Sequence, residues 1–350
     1  MAASLAGRKR AAASTGIPVT NAPARSVLIG TLVMLMLMAG LGSLMLGSVA
    51  LSPARLIAAA SGNGDGIARI ILIELRLPRA LLALLVGAML GAGGAALQGY
   101  LRNPLAEPGV LGASNAAALG AVIALYFGIA EHHPAALPLF AIAGAVIALC
   151  PLLLLAGEAE SPLTLILAGI AISTFAGAGI SLALNLAPNP FAAMEIMTWL
   201  MGSLEDRAFT HVWLALPCVA IGIALLAWDV RALDALSLGE DGARSLGIDL
   251  GRVRLRLLVG ISIGVGGAVA VAGAIGFVGL IVPHLVRPFT DRSPGAILIP
   301  SALAGAALLA GADMVVRLAP TVNELRLGVV TAFLGVPLFL FHLLRERRLW

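Results

Sequence analysis

Three arginines stand at the ends of long uncharged runs: Arg76 and Arg79 in the string RLPR, and Arg317, four residues after Asp313. A guanidinium is always charged and offers a planar fork that fits a carboxylate. Such residues recognise acidic partners or anchor a chain at a lipid surface. Asp313 and Arg317 are spaced to pair on one helix face. A second polar set lies in DVRALDALSLGEDGARSLGIDLGRVRLR, Asp229 to Arg256. There Glu240 and Asp241 follow Gly239, and Arg244 precedes Gly247. Acids in a first turn, a base in a last turn and a closing glycine describe a short helix marked at both ends. Its apolar members, Ala243 and Leu246, are three apart and are expected to share a face. This is either a solvated loop helix or a docking element for a cytoplasmic partner.

Other chemistries are not written in the chain. The pattern G-x-x-x-x-G-K-[ST] is absent and the only lysine is Lys9, so ATP is not bound in that way. No H-E-x-x-H, nucleophile elbow or Cys/His cluster occurs. His132 and His133 read as part of a solvated turn, and Cys150 and Cys218 as small buried hydrophobes. No catalytic residue, metal or resident cofactor is expected. The net charge of +4 is spread between apolar runs, which is not a nucleic-acid signal.

The elements that must position these residues are membrane helices. The chain is 60% hydrophobic and 11% charged, against roughly 25% charge in a soluble protein. Apolar runs of spanning length lie near 27–50, 80–101, 110–129, 135–156, 163–187, 210–229, 255–274, 276–290, 295–316 and 326–344. The eighth is short, and the 188–208 connection could hold a partial helix. Residues 1–26 read as a disordered basic tail, 27–345 as the transmembrane domain with a cytoplasmic loop at about 230–256, and 346–350 as a cytoplasmic C-terminus. The run after the tail is too long for a signal peptide. With both termini cytoplasmic, about fifteen of the 22 Lys/Arg fall inside. The exceptions include Arg55, Arg69, Arg76 and Arg79 in the first outer loop, and Arg317 and Arg326 in the last. They read as snorkelling anchors or as a docking surface for an acidic partner.

VGAMLGAGGA (86–95) recurs as VGISIGVGGA (259–268), about half a chain later. Two five-helix halves of inverted orientation would produce this repeat, an arrangement found in transporters. Each copy carries a G-x-x-x-G, a helix-packing signal. Weakly polar Gln98, Ser173, Thr174, Ser181 and Asn185 are candidates to line a path; hydrogen bonding to backbone is the competing role for the hydroxyls.

RLPR (76–79), LQGYLRNPLAEPGVLGASN (97–115), WLMGSL (199–204), SLGEDGARSLG (237–247), GAIGFVGLIVPHLVR (273–287) and NELRLGVVTAFLGVPLFLF (323–341) together resemble one family. It comprises the permease subunits of bacterial ABC importers for ferric siderophores, haem and cobalamin. The resemblance implies an all-α, ten-helix subunit of type II importer architecture in the bacterial inner membrane. It also implies a homodimer, two cytoplasmic ATPase subunits that use ATP, and a periplasmic substrate-binding protein. Arg76, Arg79 and Arg317 resemble the arginines that receive carboxylates of the binding protein. Asn103 and Leu105 resemble the cytoplasmic gate, and Glu240, Ala243, Arg244, Leu246 and Gly247 the helix that fits the ATPase. Ala116 and Arg326 depart from the glycine and proline usual at those places.

The expected function is the membrane subunit of an ATP-driven importer for an iron chelate, with haem or cobalamin as alternative cargo. An ion-coupled carrier fits less well, because such carriers need ionisable groups within their spans and these spans are nearly free of them.

Overall fold

In a computed structural model the described residues are 25–47, 49, 51–62, 65–156, 162–321 and 324–347. The expected tail over 1–26 lies outside them except for Arg25 and Ser26, as do residues 348–350 of the C-terminal segment. The helices are α1 (Arg25–Met45), α2 (Pro53–Ala60), α3 (Gly66–Ile70), α4 (Leu77–Leu101), α5 (Ala113–Tyr126), α6 (Ile129–His132), α7 (Ala136–Ile147), α8 (Leu149–Ala156) and α9 (Pro162–Asn185). They continue as α10 (Pro190–Leu200), α11 (Phe209–Trp228), α12 (Val230–Leu236), α13 (Glu240–Ser245), α14 (Leu250–Ala272), α15 (Val278–Val286), α16 (Pro294–Leu318) and α17 (Leu327–Arg347). Among the described residues there is no strand. Among the described residues seven helices are long and apolar enough to cross a bilayer, and three shorter apolar helices accompany them. Their positions coincide with the ten apolar runs, and α10 is the partial helix of the 188–208 connection.

A π-helical stretch, Ile71–Arg76, joins α3 to α4 in one continuous helix. It ends just before Pro78, whose ring would press on the Glu74 carbonyl in an α-helical register. The two copies of the glycine repeat lie on α4 and α14, the two most buried spans, each 78% buried against 6% for α1. Close backbone approach explains the glycines. A Cβ on Gly91 would lie 2.1 Å from the Ser301 carbonyl oxygen of α16. The second copy meets different neighbours, Gly264 facing Gly222 of α11 and Met89 of α4. The copies therefore share a place at the bundle centre rather than a partner.

After α14 the chain leaves helical geometry at Gly273 (φ +72°) and re-enters it at Phe277 (φ +69°). The first turn of α15 rests on the middle of α4, where a Cβ on Gly94 would overlap Gly279. That restart inside the bundle is why α15 is a short helix.

Candidate functional site

At one end of the bundle, two arginines close the C-terminus of α1. Arg76 Nη1 donates to the carbonyls of Leu44 (2.8 Å) and Met45 (3.0 Å), and its Nη2 to that of Val49. Arg317 Nη1 donates to the carbonyls of Ser43 (2.9 Å) and Leu46 (3.0 Å), and its Nη2 to Ser43 Oγ. A helix C-terminus leaves its last carbonyls without intrahelical donors and favours cations, so both needs are met at once. Asp313, fully buried, lies 2.8 Å from Arg79 Nη2 and 3.1 Å from Arg317 Nε. Glu324 accepts two further bonds from Arg79, each 3.0 Å. The three arginines are thus together, as expected, but they are not exposed. Arg76 is 4% exposed, and the Arg79 and Arg317 side chains are 11% and 5% exposed. Nearby carbonyls and Asp313 hold these guanidiniums inside the chain.

The same end carries a cavity of about 240 Å³, bordered by Arg76, Arg79, Arg317, Glu205, Glu324 and Arg207. Arg207 was not singled out by sequence reading, although the compact string GSLEDR could have flagged it. Burial lowers its pKa from the ordinary arginine value, opposed by Asp206 and Glu205. Arg326 pairs with Glu205 at 3.0 Å. At the start of α17 this cross-link stands where the family usually has proline. Arg55 and Arg69, on α2 and α3, are exposed.

At the other end, the turn after α4 is tied to α15. Arg102 ends α4 in a left-handed conformation (φ +49°). The Asn103 side chain accepts from the Leu105 N–H at 2.9 Å, and Leu105 is 51% exposed. The Pro104 carbonyl meets His284 Nε2 at 2.8 Å, and the Glu107 side chain lies beside the backbone N–H of Phe277, which opens α15. A carboxylate at a helix N-terminus is the favourable placement. Sequence reading assigned no task to Glu107 or His284. Gln98, expected on a path, is buried instead. Its amide nitrogen donates to the Leu280 carbonyl at 3.1 Å, and its oxygen accepts from Arg287 at 3.3 Å.

The marked helix of the charged loop is present as α13, with Gly239 (φ +94°) before it and Gly247 (φ +80°) after it. The expected shared face is not there. Ala243 is fully buried in the chain's own core, while Leu246, beyond the last helical turn, is 64% exposed. Leu238 on the preceding turn is 71% exposed, so the outward apolar pair is Leu238 and Leu246, flanked by exposed Arg244 and Gly247. Glu240 sits 3.8 Å from Arg102, linking α13 to the end of α4.

Of the other path candidates, Thr174 and Ser181 bond back to Ile170 and Gly177, four residues earlier, at 2.8 and 2.9 Å. Both residues are on the exposed side of α9, as is Asn185. Ser173 instead donates across to the Gly109 carbonyl at 3.0 Å and fastens α9 to the turn before α5. His132 and His133 are exposed, in keeping with a solvated turn. Cys150 is exposed rather than buried, and Cys218 is half-buried.

Comparison with known proteins fits this geometry. Residues 33–345 match the FecCD transport family. The chain is 38% identical over 294 residues to an ABC transporter permease protein, YvrB, of Bacillus subtilis, covering 82% of each chain. It is 42% identical over 275 residues to the vitamin B12 import system permease protein BtuC of Vibrio cholerae, covering 78% of this chain and 82% of that one. A metal-chelate type ABC transporter solved in an inward-facing conformation superposes with a TM-score of 0.80 at 29% identity, over 91% of this chain and 99% of the other. A bundle of apolar helices with a buried glycine repeat, a capped helix in its charged loop and these relatives has one reading: the chain belongs to the FecCD transport family of ABC-importer permeases.

Proposed function

We propose that this permease carries a corrinoid of the cobalamin class across the inner membrane. The observation that carries this reading is the 41–42% identity to vitamin B12 permeases over nearly four fifths of the chain. An iron chelate is the second reading, favoured by the likeness to the metal-chelate type transporter. In either case the subunit works as a homodimer, with cargo passing between two copies and the Asn103–Leu105 turn closing the path on the cytoplasmic side. The exposure of Leu105 and the bonds that hold its turn support that role.

Two ATPase subunits supply the energy from the α13 side, where Leu238, Arg244, Leu246 and Gly247 form the contact; buried Ala243 supports the helix from within. A substrate-binding protein docks at the opposite end. There Arg76, Arg79 and Arg317 shape the surface from inside, and exposed Arg55 and Arg69 meet its carboxylates. The test is uptake into proteoliposomes holding the permease, its ATPase and its binding protein. ATP-dependent accumulation of labelled cyanocobalamin, without accumulation of ferric siderophore or haem, is expected. Accumulation of the siderophore alone would overturn the cargo assignment in favour of the second reading. No ATP-dependent uptake of any of them would overturn both.

A further inference from the structure

A cavity of about 460 Å³ lies between α5, α7, α8 and α9, and every residue that lines it is apolar. Its floor is a close crossing of α5 and α7. A Cβ on Gly120 would overlap the Phe140 carbonyl, and one on Gly144 would lie 2.3 Å from the Ala116 carbonyl oxygen. With no side chains at the crossing, the two backbones meet and leave a trough beside them. α9, which packs against α5 and α8, supplies the remaining wall. The rim residues Ile123, Ile147 and Phe175 come from three different helices, and all three are exposed.

The depth of the cavity restricts what can fill it. Its walls are drawn from the middle of each helix: residues 116–123 of α5, 144–151 across α7 and α8, and 171–176 of α9. At half the thickness of a bilayer the medium is hydrocarbon, without water. Water would also find no polar partner in the lining, and an apolar cavity of this kind stays dry and accepts apolar guests.

A second copy of the chain has a different seat on α9. The exposed, weakly polar stripe of Thr174, Ser181 and Asn185 is turned roughly 130° around the helix from the cavity-lining residues. The cavity is instead continuous with the outer apolar surface, where Ile147, Leu154 and Leu155 of α7 and α8 are exposed. A membrane-spanning chain presents such a surface to lipid. A hydrocarbon chain in the trough is enclosed by three helices and makes more dispersion contacts than one lying on a convex helix face. We propose that this cavity binds the terminal part of a phospholipid acyl chain as a resident ligand, retained when the surrounding lipid exchanges. The proposal does not depend on the cargo or the partner subunits assigned above.

The test uses the full-length permease reconstituted with a phosphatidylcholine that carries a diazirine at the end of one acyl chain. The protein is extracted, washed in detergent, illuminated, and its labelled peptides are identified by mass spectrometry. Label concentrated on residues 116–123, 144–151 and 171–176 is expected. Leu216 and Ile221 of α11, exposed at similar depth, provide the reference for ordinary surrounding lipid. Ala171→Phe, at an exposed position on the lining, should fill the trough and reduce its labelling to the α11 level, leaving α11 unchanged. Ile147→Phe, from the other wall, should do the same and keeps the test open should the first variant fold poorly. Label no higher in the cavity than on α11, or label that neither variant reduces, would overturn the proposal. Disulfide cross-linking between copies through cysteine at position 147 would overturn it too, assigning the trough to a second copy of the chain.

Discussion

Replacing Asp313 by alanine tests the reasoning at the arginine end most directly. Asp313 is fully buried and accepts from Arg79 Nε at 2.9 and 3.2 Å, with Arg317 Nε 3.1 Å away on its other side. Its removal leaves two buried guanidiniums facing a gap. Breaking a buried pair from one side costs about 3–5 kcal/mol, because the remaining charge has lost its compensation. The structure argues for the lower end of that range. Arg79 keeps both 3.0 Å bonds to Glu324, and Arg317 keeps Ser43 and Leu46. The expected loss is therefore about 3 kcal/mol, on the order of a hundredfold in the folded-to-unfolded ratio. Reversible unfolding in mixed micelles, followed by tryptophan fluorescence, measures it. Replacing Arg79, Asp313 and Arg317 together by Met, Leu and Met should recover part of the loss, since an apolar set of similar volume avoids the desolvation cost. A change below about 0.5 kcal/mol for Asp313→Ala would show a water-screened pair and refute the buried-network account. Charge reversal at Arg76, Arg79 and Arg317 should now disturb folding before it disturbs docking.

Leu246→Asp, with or without Leu238→Asp, should abolish co-purification with the ATPase while leaving thermal stability unchanged; full assembly would remove these leucines from the contact. By contrast, Ala243→Glu puts a carboxylate into a fully buried site and should destabilise the permease itself, at a cost of several kcal/mol. Cysteine at Leu105 should cross-link between subunits in at least one nucleotide state, and an intact dimer with no cross-link in any state would take Leu105 out of the gate. Gly91→Ala places a methyl against the Ser301 carbonyl and should cost about 1–3 kcal/mol through forced separation of α4 and α16, read as a lower unfolding midpoint in micelles.

Some of this protein was decided by local sequence. Ten apolar runs became the apolar helices because hydropathy over a spanning length needs no knowledge of neighbours. Gly239, the acids behind it and Gly247 delimited α13, since caps act within one turn of the residues they satisfy. The glycine repeat marked the two helices at the bundle centre, where only a missing side chain permits such approach. The directions of long polar side chains were decided elsewhere. Counting arginines on loops placed Arg76, Arg79 and Arg317 at one end, but whether a guanidinium turns outward or inward depends on carbonyls and carboxylates far along the chain. Ser43 is 274 residues from Arg317, and Asp313 is 234 from Arg79. The same holds for Glu107 at the start of α15 and His284 at Pro104. Helix spacing alone put Ala243 and Leu246 on one face. In the folded chain the helix stops between them, and packing against the bundle buries one and leaves the other in the open.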